Sequence, residues 1–475
     1  MKLSKIMQFN LREERYVRKY MQSVGHATLN PEQPGAVQIH LIPPRNNVRD
    51  VNGIIGSPSV VILNGNYIVP IKQSYAILMN QFLRELDKYS GTTLKEFNLE
   101  KIIRDTVNAV HKVYYNTPKQ KLIEDLSNWV HVFSDIALGH EVEGIVGFSI
   151  GEYAPFMRGP HRMDLMISAM EKNGCWNCNQ KCIHCYAAGQ EKSNVKELST
   201  AEWKRIIDKL YNEACVAQVT FTGGEPTKRK DLVELVKYAE KMVTRVNTNG
   251  ILLSEEYCDK LRKANLDSIQ ITFYSGDPEV HNHLVGVPMY NRTLAGIKNA
   301  IAAGLNVSIN TPLCSLNKDY VETLRFLKEL GIQYVTCSSL IITGNATTNV
   351  SKTTQLKKDE LMSILAEAAS FCKENDMEIS FTSPGWLSEE EIKSIDGLMT
   401  VPMCGACLSN MAIAPNGEVV PCQSWLDGFT LGNMLNTDWT RIWDSEECSN
   451  IKNDTAKGNF NCPLKSMNET KMADY

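Results

Sequence analysis

The most informative absences in this sequence concern cysteine, long apolar stretches and excess charge. No cysteine precedes Cys175 in a chain of 475 residues. No window holds 18 uncharged apolar residues, so a transmembrane helix is not expected, and the N terminus carries charges where a signal peptide needs an apolar run. The net charge of -4 gives no indication of binding to nucleic acid or membranes through bulk electrostatics. We therefore expect a cytoplasmic protein with neither kind of partner.

The 14 cysteines that are present are unevenly distributed along the chain. Four fall between Cys175 and Cys185, and five fall between Cys404 and Cys462. In a reducing cytoplasm such groups are typical of metal sites rather than of disulfides. The sequence therefore predicts one metal site in the middle of the chain and another near the C-terminal end.

Residues 1–155 contain no cysteine. Their pattern of apolar and turn residues predicts an α+β domain. The segment from Val60 to Val69 alternates like a strand on both sides of Asn64–Gly65, which is typical of a β-hairpin. Three later stretches have apolar residues three and four positions apart, as amphipathic helices do, and they are QSYAILMNQFLRELDKY, LEKIIRDTVNAVHKVYY and KLIEDLSNWVHVFSDIAL. A small sheet followed by helices is expected.

Residues 160–345 alternate six short apolar runs with amphipathic helical stretches. Six strand–helix units in a row predict an α/β fold in which a parallel sheet forms a partial (β/α)6 barrel. Polar residues and glycines follow several of the runs, and these positions form the catalytic face of such barrels. Residues 346–475 form a third region, which contains a polar stretch, a helix and the cysteine-rich end.

The strongest motif is a C-x3-C-x2-C triplet of Cys178, Cys182 and Cys185, directly after the first predicted barrel strand. Three thiolates on one short loop can bind three irons of a [4Fe–4S] cluster and leave the fourth iron open, as a catalytic site requires. The alternative is a zinc site with Cys175 as the fourth ligand. Its two C-x2-C pairs lie only three residues apart, which is too close for a zinc ribbon or finger.

Three further motifs follow at the ends of successive predicted strands, and they are Gly223–Pro226 (GGEP), Asn247–Gly250 (NTNG) and Gln270–Ser275 (QITFYS). With the triplet and the aromatic residue after it, they make residues 160–345 resemble the radical S-adenosylmethionine (SAM) superfamily. The resemblance implies that SAM chelates the open iron, and that its reductive cleavage yields a 5′-deoxyadenosyl radical that abstracts a hydrogen atom from a substrate. It also implies contacts with SAM from Tyr186, Gly223, Gly224, Glu225, Pro226, Thr248, Asn249, Thr272 and Asn310.

The second cysteine group lies around a predicted hairpin whose turn is Pro415-Asn416-Gly417. The C-x9-G-x4-C spacing from Cys407 to Cys422 resembles the opening of the SPASM domain, an auxiliary-cluster module found after radical SAM barrels. A full SPASM domain has a dense run of further cysteines, whereas this chain offers only Cys462. We therefore expect one auxiliary [4Fe–4S] cluster in a form close to the shortened twitch domain, as the resemblance implies.

The ligands expected for this auxiliary cluster are Cys404, Cys407, Cys422 and Cys462. Cys448 is the rival for the fourth position, but it fits an apolar helix position. Two alternatives stay open: a cluster with three cysteine ligands and an iron open to substrate, and a tetrahedral zinc site. Cys314 and Cys337, at or near the ends of the fifth and sixth predicted strands, are candidate catalytic thiols that could return a hydrogen atom, although a free cysteine is more often buried.

The resemblance implies an enzyme that acts on a ribosomally synthesised precursor peptide, by thioether or carbon–carbon crosslinking or by epimerisation. Residues 1–155 would then recognise the leader peptide by taking it up as an edge strand, or would be a structural extension. An external flavodoxin- or ferredoxin-type protein is the expected electron donor. The alternatives are oxidation of a folded protein, radical rearrangement of a small molecule, and a zinc or iron–sulfur binding protein with a degenerate barrel.

Overall fold

The computed structural model describes most of the chain, and the described residues are 2–29, 36–45, 48–50, 53–55, 57–89, 98–140, 142, 146–348, 353–382, 387–398 and 404–458. They form two compact units. The first contains the chain up to His161 together with Asp208–Ala217. The second contains Arg162–Ile207 together with the chain from Gln218 onwards, and it includes the Cys178–Cys185 triplet and the C-terminal cysteines that the structure describes.

The first unit combines a small antiparallel sheet with helices. Its strands are β1 (Gly25–Leu29), β2 (Val37–Ile42), β3 (Val48–Asp50), β4 (Gly53–Ile55), β5 (Ser59–Leu63) and β6 (Tyr67–Ile71). Its helices are α1 (Lys2–Tyr20), α2 (Gln73–Asp87), α3 (Leu99–His111), α4 (Lys119–Leu138) and α5 (Ile150–Tyr153). Four strands form one sheet in the order β1-β2-β5-β6, and β3 and β4 pair with each other. The predicted sheet followed by helices is present, but α1 comes before the sheet and was not predicted.

The hairpin predicted around Asn64–Gly65 is also present. β5 and β6 pair in antiparallel register with Leu63 opposite Tyr67. Asn64 (φ 47°) and Gly65 (φ 69°) both lie in the left-handed region, which these two residue types tolerate best. Turn chemistry and strand alternation therefore act together to set the register of this pair.

The second unit contains the parallel sheet. Its strands are β7 (Arg162–Ser168), β8 (Glu171–Lys172), β9 (Cys175–Trp176), β10 (Gln218–Gly223), β11 (Val243–Thr248), β12 (Ser268–Thr272), β13 (Val307–Pro312), β14 (Tyr334–Ser338), β15 (Glu378–Phe381), β16 (Asn410–Ile413), β17 (Glu418–Val420) and β18 (Gly432–Asn433). The helices that follow β7 in the chain are α6 (Thr200–Asn212), α7 (Leu232–Tyr238), α8 (Glu255–Lys263), α9 (Pro278–Val285), α10 (Tyr290–Ala302), α11 (Tyr320–Glu329), α12 (Lys358–Glu374), α13 (Glu389–Lys393), α14 (Trp439–Trp443) and α15 (Glu446–Ala456).

The strand order of the large sheet is β15-β14-β13-β12-β11-β10-β7-β16-β17-β18. The six expected strands, β7 and β10–β14, pair in parallel with their neighbours, which confirms the α/β fold class. Two more strands extend the parallel array, because β15 pairs with β14 and β16 pairs with β7. The hairpin of β16 and β17 was predicted, but its parallel contact with β7 was not, since pairing between distant segments has no local signal.

The strands of the parallel sheet present polar side chains on one face. On β12, Ile269 and Ile271 are fully buried, while Gln270 between them is partly exposed. The Gln270 Nε2 donates to the Thr336 hydroxyl at 3.1 Å, and that hydroxyl donates to the Asn310 Oδ1 at 2.8 Å. Because successive side chains of a strand alternate between faces, these contacts define one polar face shared by β12, β13 and β14.

None of the helices in the described ranges combines the length and the apolar character that crossing a membrane requires.

Candidate functional site

The first cysteine group lies on a loop that follows β7 and the short hairpin of β8 and β9. The loop carries the triplet of thiols, Cys178, Cys182 and Cys185. Its path is fixed by main-chain hydrogen bonds to α9, in which Lys181 donates to the Val285 carbonyl at 2.9 Å and Ile183 donates to the Leu284 carbonyl at 3.1 Å. The structure therefore places the three cysteines on one anchored loop, as the sequence motif predicts.

The three thiols are close enough together to affect one another. Burial raises the pKa of Cys178 to about 12, with the Glu225 carboxylate as the next cause. Burial also raises the pKa of Cys182 well above its usual value, and the Cys185 and Cys178 sulfurs add to the effect. Burial raises the pKa of Cys185 as well. Without a metal these thiols would stay protonated at neutral pH, and bound iron would be needed to hold them as thiolates.

The surroundings of the triplet fit the expected cluster. The amide nitrogens Asn179 Nδ2 and Gln180 Nε2 are buried on the same loop, and neither has a hydrogen-bond partner among the described residues. Such donors can be satisfied by an acceptor that the loop encloses. No group of three His, Cys, Asp or Glu side chains within the described ranges is arranged around a single metal ion, whereas a [4Fe–4S] cluster takes its thiolates on separate irons.

The Gly223–Pro226 loop ends β10 directly beside the end of β7. Gly223 has φ 126°, and a Cβ added there would lie 2.3 Å from the Ser168 carbonyl oxygen. A Cβ added to Gly224 would lie 2.8 Å from the Ala169 carbonyl oxygen. Both positions therefore require glycine, and the loop brings its main chain close to the Cys178 sulfur, which lies 3.3 Å from the Gly224 carbonyl oxygen.

Glu225 is a buried carboxylate that joins the ends of two neighbouring strands. It is 2% exposed and accepts hydrogen bonds from the Thr227 backbone at 3.0 Å, the Thr248 hydroxyl at 2.6 Å and the Asn249 backbone at 2.9 Å. Burial raises its pKa, and these hydrogen bonds oppose that rise. The carboxylate is engaged with the chain itself, so it holds the loop in shape.

Asn249 links this carboxylate to the cysteine loop. Its Nδ2 donates to the Asn179 Oδ1 at 2.6 Å and lies 4.0 Å from the Cys178 sulfur. Its Oδ1 accepts from the Ile251 backbone at 3.1 Å. The ends of β10 and β11 and the cysteine loop thus meet at one place, which is the arrangement expected for the carboxyl ends of parallel strands.

Two other residues expected to contact SAM lie on adjacent strands. Thr272 ends β12 and stands directly opposite Asn310 of β13 in the parallel register. Both are partly exposed on the polar face. The Asn310 Oδ1 already accepts from Thr336, so its Nδ2 remains available as a donor.

Tyr186 connects the first cysteine group with the C-terminal hairpin. Its side chain packs against an apolar cluster that includes Met166 of β7, Ala412 of β16 and Val420 of β17. The hydroxyl donates to the Gln423 Oε1 at 3.4 Å. The residue after the third cysteine therefore reaches the neighbourhood of Cys422.

Gln190 forms a second connection between the same two segments, and no sequence motif pointed to it. Its side chain is 3% exposed. The Nε2 donates to the Ser424 carbonyl at 3.3 Å, and the Oε1 accepts from the Leu426 backbone at 3.1 Å. A buried amide that satisfies two main-chain groups of another segment has no local sequence signature.

The second cysteine group lies at the base of the hairpin of β16 and β17. Cys407 is fully buried with φ 54°, and its backbone N–H donates to the Pro421 carbonyl at 3.4 Å, beside Cys422. The neighbouring Cys448 thiol and burial raise the pKa of Cys407 well above its usual value, and the Cys407 thiol lowers the pKa of Cys448. Cys448 is fully buried on α15, whereas Cys462 lies outside the described residues.

The two candidate catalytic thiols are both fully buried. Cys337 follows Thr336 on β14, so it faces away from the polar face, and it lies beside Cys372 of α12. Cys314 belongs to an apolar cluster with Tyr274 and Leu284, and burial raises its pKa to about 11. These positions favour a packing role over hydrogen donation.

Comparison with known proteins gives two family matches. Residues 177–327 match the family model described as the radical SAM superfamily. Residues 404–464 match the SPASM model, described as an iron–sulfur cluster-binding domain. The first range contains Cys178, Cys182 and Cys185, and the second contains the five cysteines from Cys404 to Cys462.

Among individual proteins, the chain is 28% identical to the AdoMet-dependent heme synthase of Oleidesulfovibrio alaskensis, over 57% of this chain and 73% of that protein. It is 31% identical to a probable GTP 3′,8-cyclase of Saccharolobus islandicus, over 33% of this chain and 52% of that protein. The crystal structure of Streptococcus suis SuiB is similar with a TM-score of 0.53 at 17% identity, and covers 84% of this chain and 87% of SuiB. SuiB bound to the precursor peptide SuiA matches with the same TM-score at 15% identity, over 83% of this chain and 87% of that chain.

Proposed function

We propose that this radical SAM enzyme, which has an iron–sulfur cluster-binding SPASM domain, acts on a ribosomally synthesised peptide. The enzyme carries a [4Fe–4S] cluster with SAM and an auxiliary iron–sulfur cluster, as the two family matches indicate. With these groups bound, the site supplies reductive cleavage of SAM and abstraction of a hydrogen atom. The product would be a peptide with a thioether or carbon–carbon crosslink or an inverted α-carbon.

In this proposal the chain holds and orients the cofactors. The triplet thiolates bind the first cluster, and the main chain of Gly223 and Gly224 meets the amino group of SAM. Thr272 and Asn310 present a hydroxyl and an amide to SAM from the polar face. Glu225 keeps the glycine loop and the end of β11 in register through its hydrogen bonds to the chain. An external flavodoxin- or ferredoxin-type protein would supply the electron.

The ligands that we propose for the auxiliary cluster are Cys404, Cys407, Cys422 and Cys462. The first three belong to the segment that forms the β16–β17 hairpin and its base. Iron in an all-cysteine site would relay electrons or hold structure, because no coordination position stays open for a substrate.

The observation that carries the peptide assignment is the extent of the likeness to SuiB. That likeness covers 84% of this chain. The second unit, Arg162–Ile207 together with Gln218–Tyr475, makes up only about two thirds of the chain. The shared fold therefore extends into the first unit. SuiB has been crystallised with a precursor peptide, and the antiparallel sheet of the first unit ends in two edge strands, β1 and β6, to which a peptide could add as a further strand.

The two edge strands differ in the main-chain hydrogen-bonding groups that they offer to an added peptide strand. On β6, Pro70 has no N–H to donate, and the Ile68 carbonyl already accepts from the Phe148 backbone at 2.6 Å. A peptide that adds to β6 would have to replace that bond. Hydrogen exchange of the full-length enzyme with and without precursor peptide distinguishes the edges, because the added strand would protect amides in Gly25–Leu29 or in Tyr67–Ile71. Protection confined to the second unit would contradict leader recognition by this sheet.

A second candidate is a small-molecule substrate, which the identity to the heme synthase of Oleidesulfovibrio alaskensis favours. That likeness covers 57% of this chain and could be accommodated within the second unit alone. A small-molecule reaction would leave the sheet of the first unit without a role in substrate binding.

The test is turnover with defined probes under anaerobic conditions. The reconstituted full-length enzyme, SAM and dithionite would be incubated with short peptides encoded beside its gene, or with an iron-tetrapyrrole. We expect a peptide to increase 5′-deoxyadenosine formation and to lose two hydrogen atoms or to incorporate deuterium from D2O. The Cys178/Cys182/Cys185→Ala variant is the control for background chemistry. Conversion of the tetrapyrrole with all peptides unchanged would contradict the proposal and support the second candidate.

A further inference from the structure

The polar face of β12, β13 and β14 continues across the neighbouring strands β11, β10 and β7. The Arg245 Nε donates to the Ser268 Oγ at 3.1 Å, and Ser268 lies on the same side of β12 as Gln270, because side chains alternate along a strand. In the parallel register Arg245 also stands opposite Thr220, and Thr220 stands opposite Asp164. One layer of polar side chains near the amino ends of four strands therefore contains Ser268, Arg245, Thr220 and Asp164, and we call it the lower polar layer.

Several oxygen atoms on this face are buried without a hydrogen-bond partner among the described residues. In the lower polar layer they are the Asp164 Oδ2 and the Thr220 Oγ1, and both residues are 1% exposed. One step closer to the carboxyl ends of the strands they are the Asn247 Oδ1 and the Ser308 Oγ, whose residues flank Gln270 in the register. Buried polar atoms are rarely left unpaired, so four of them on one face are expected to meet polar groups of a bound molecule.

Arg245 brings a positive charge to this face without an ion pair. Within the described part of the chain its guanidinium donates to Ser268 alone, and no carboxylate there pairs with it. The Asp164 carboxylate of the same layer is paired instead with Arg162, whose Nε lies 3.0 Å from the Oδ1. Burial lowers the pKa of Arg245, the Arg162 guanidinium adds to this effect, and Asp164 opposes it. Two cations thus share one carboxylate, which leaves one positive charge for a bound anion to neutralise.

The same face is open to solvent along β11 and β12. Arg245 and Asn247 are partly exposed, whereas Val246 between them is fully buried on the other side of β11. Gln270 and Thr272 of β12 alternate with buried residues in the same way. A substrate group therefore has access to the lower polar layer from the space that this face borders.

Arg245 lies too far from the cysteine loop to bind the carboxylate of SAM. It precedes Thr248, the last residue of β11, by three residues, which corresponds to about 10 Å along the strand. The SAM carboxylate would chelate iron at the cysteine loop, and that loop meets β11 at Asn249, beyond the end of the strand. SAM has no second anionic group, so the anion expected at Arg245 belongs to the substrate.

We propose that Arg245 is a specificity residue that binds a carboxylate of the substrate. Because Ser268 holds its Nε, the guanidinium presents its two terminal nitrogens, which match the two oxygens of a carboxylate. The Thr220 hydroxyl, on the adjacent strand, donates to the same carboxylate. The Asp164 Oδ2 accepts from a neighbouring N–H or O–H of the substrate.

The source of this carboxylate rests on the proposed function. In a peptide it is an Asp or Glu side chain or the free C terminus, whereas in an iron-tetrapyrrole it is a carboxylate of the ring substituents. Arg245 would bind either one by the same pair of hydrogen bonds. Failure of the peptide assignment would therefore leave the carboxylate site in place.

The first experiment tests the site without a substrate. The apparent Tm of the reconstituted full-length enzyme with SAM is measured in sodium acetate and in sodium chloride at equal ionic strength, with acetamide as the uncharged counterpart of acetate. We expect acetate to raise the Tm of the wild type, because a ligand that binds the folded state stabilises it. The rise should be absent in Arg245→Gln and retained in Arg292→Gln, the matched control, since Arg292 is exposed on α10.

Two outcomes of this experiment would overturn the inference. One is an equal rise with acetate in Arg245→Gln and in the wild type. The other is an equal effect of acetate and acetamide on the wild type, a comparison that holds even if the variant fails to fold or to bind iron.

The second experiment identifies the source of the carboxylate. In a peptide that the enzyme converts, each Asp and Glu is replaced by Asn or Gln in turn, and the C terminus is amidated. We expect one of these changes to raise the KM of the wild type for the peptide by roughly tenfold or more. The same change should have little effect in Arg245→Gln, where the partner is already lost, and the KM for SAM should stay the same.

The remaining outcomes separate this inference from the proposed function. Conversion of the tetrapyrrole alone, with a KM that rises when its carboxylates are amidated, would support the carboxylate site and contradict the peptide assignment. An unchanged KM for a substrate in which every carboxylate is an amide would overturn the inference. If neither substrate is converted, the acetate comparison decides.

Discussion

Gly223 and Gly224 occupy positions where the main chain of one strand end lies against the next. The sequence identified this segment as a motif, and glycine was expected because it allows close approach to a ligand. The structure adds a reason within the chain itself. Both glycines face the carbonyl groups of Ser168 and Ala169, at distances that leave no space for a Cβ.

Gly223→Ala should therefore disturb SAM binding and leave the first cluster in place. The added Cβ would meet the Ser168 carbonyl oxygen at 2.3 Å, and φ 126° adds backbone strain of about 1–3 kcal/mol. We expect 5′-deoxyadenosine formation to fall by roughly tenfold or more at unchanged iron content. Gly304→Ala is the control, because Gly304 has φ 75° but open space around it. Equal activity of Gly223→Ala and the control would contradict this account of the loop.

Glu225→Gln should destabilise the junction of β10 and β11. The glutamine NH2 group would face either the Asn249 backbone N–H or the Thr248 hydroxyl, both of which now donate to the carboxylate. Two donors facing each other lose one hydrogen bond. A lost hydrogen bond to a buried charged group costs about 2 kcal/mol, so the apparent Tm should fall by several degrees. Glu255→Gln on the exposed side of α8 is the matched control and should leave Tm unchanged. A similar Tm for both variants would show that the Glu225 carboxylate does not hold the loop.

At the scale of elements, local patterns predicted some pairings and missed others. The two hairpins were found because Asn64–Gly65 and Pro415–Gly417 combine turn residues with flanking strand patterns. β15 was missed because its four residues are too few to show a period. The parallel contact of β16 with β7 was missed because it joins segments from opposite ends of the second unit. Long-range pairing is decided by packing that a local window does not contain.

The contact between the cysteine loop and the C-terminal hairpin region should depend on Gln190. In Gln190→Ala the Leu426 N–H and the Ser424 carbonyl lose their buried partner, at a cost of about 1–3 kcal/mol. Hydrogen exchange at Leu426 should therefore become faster by roughly tenfold or more. Gln22→Ala is the control, since that exposed side chain also donates to a backbone carbonyl. An unchanged exchange rate at Leu426 would contradict this role of the Gln190 side chain.

For the whole molecule, the fold class and the two cofactor domains followed from the sequence motifs, whereas the fine structure of the second site did not. The spacing of Cys404, Cys407 and Cys422 identified the domain, and the family match confirms it. The packing of α15 against the segment that contains Cys407 could not be predicted, because it depends on contacts such as the hydrogen bond from the Thr455 hydroxyl to the Ala406 carbonyl. The same packing buries Lys452, which in the sequence alone is one lysine among many.

The central claim is that one chain holds two iron–sulfur clusters and uses the first to cleave SAM. The most direct measurement is anaerobic reconstitution of the wild type and of Cys178/Cys182/Cys185→Ala, with iron and sulfide counted and 5′-deoxyadenosine assayed after addition of SAM and dithionite. The account predicts about eight irons in the wild type and about four in the variant, since each [4Fe–4S] cluster holds four, with nucleoside formed by the wild type alone. Absence of both iron and 5′-deoxyadenosine in the wild type would contradict it.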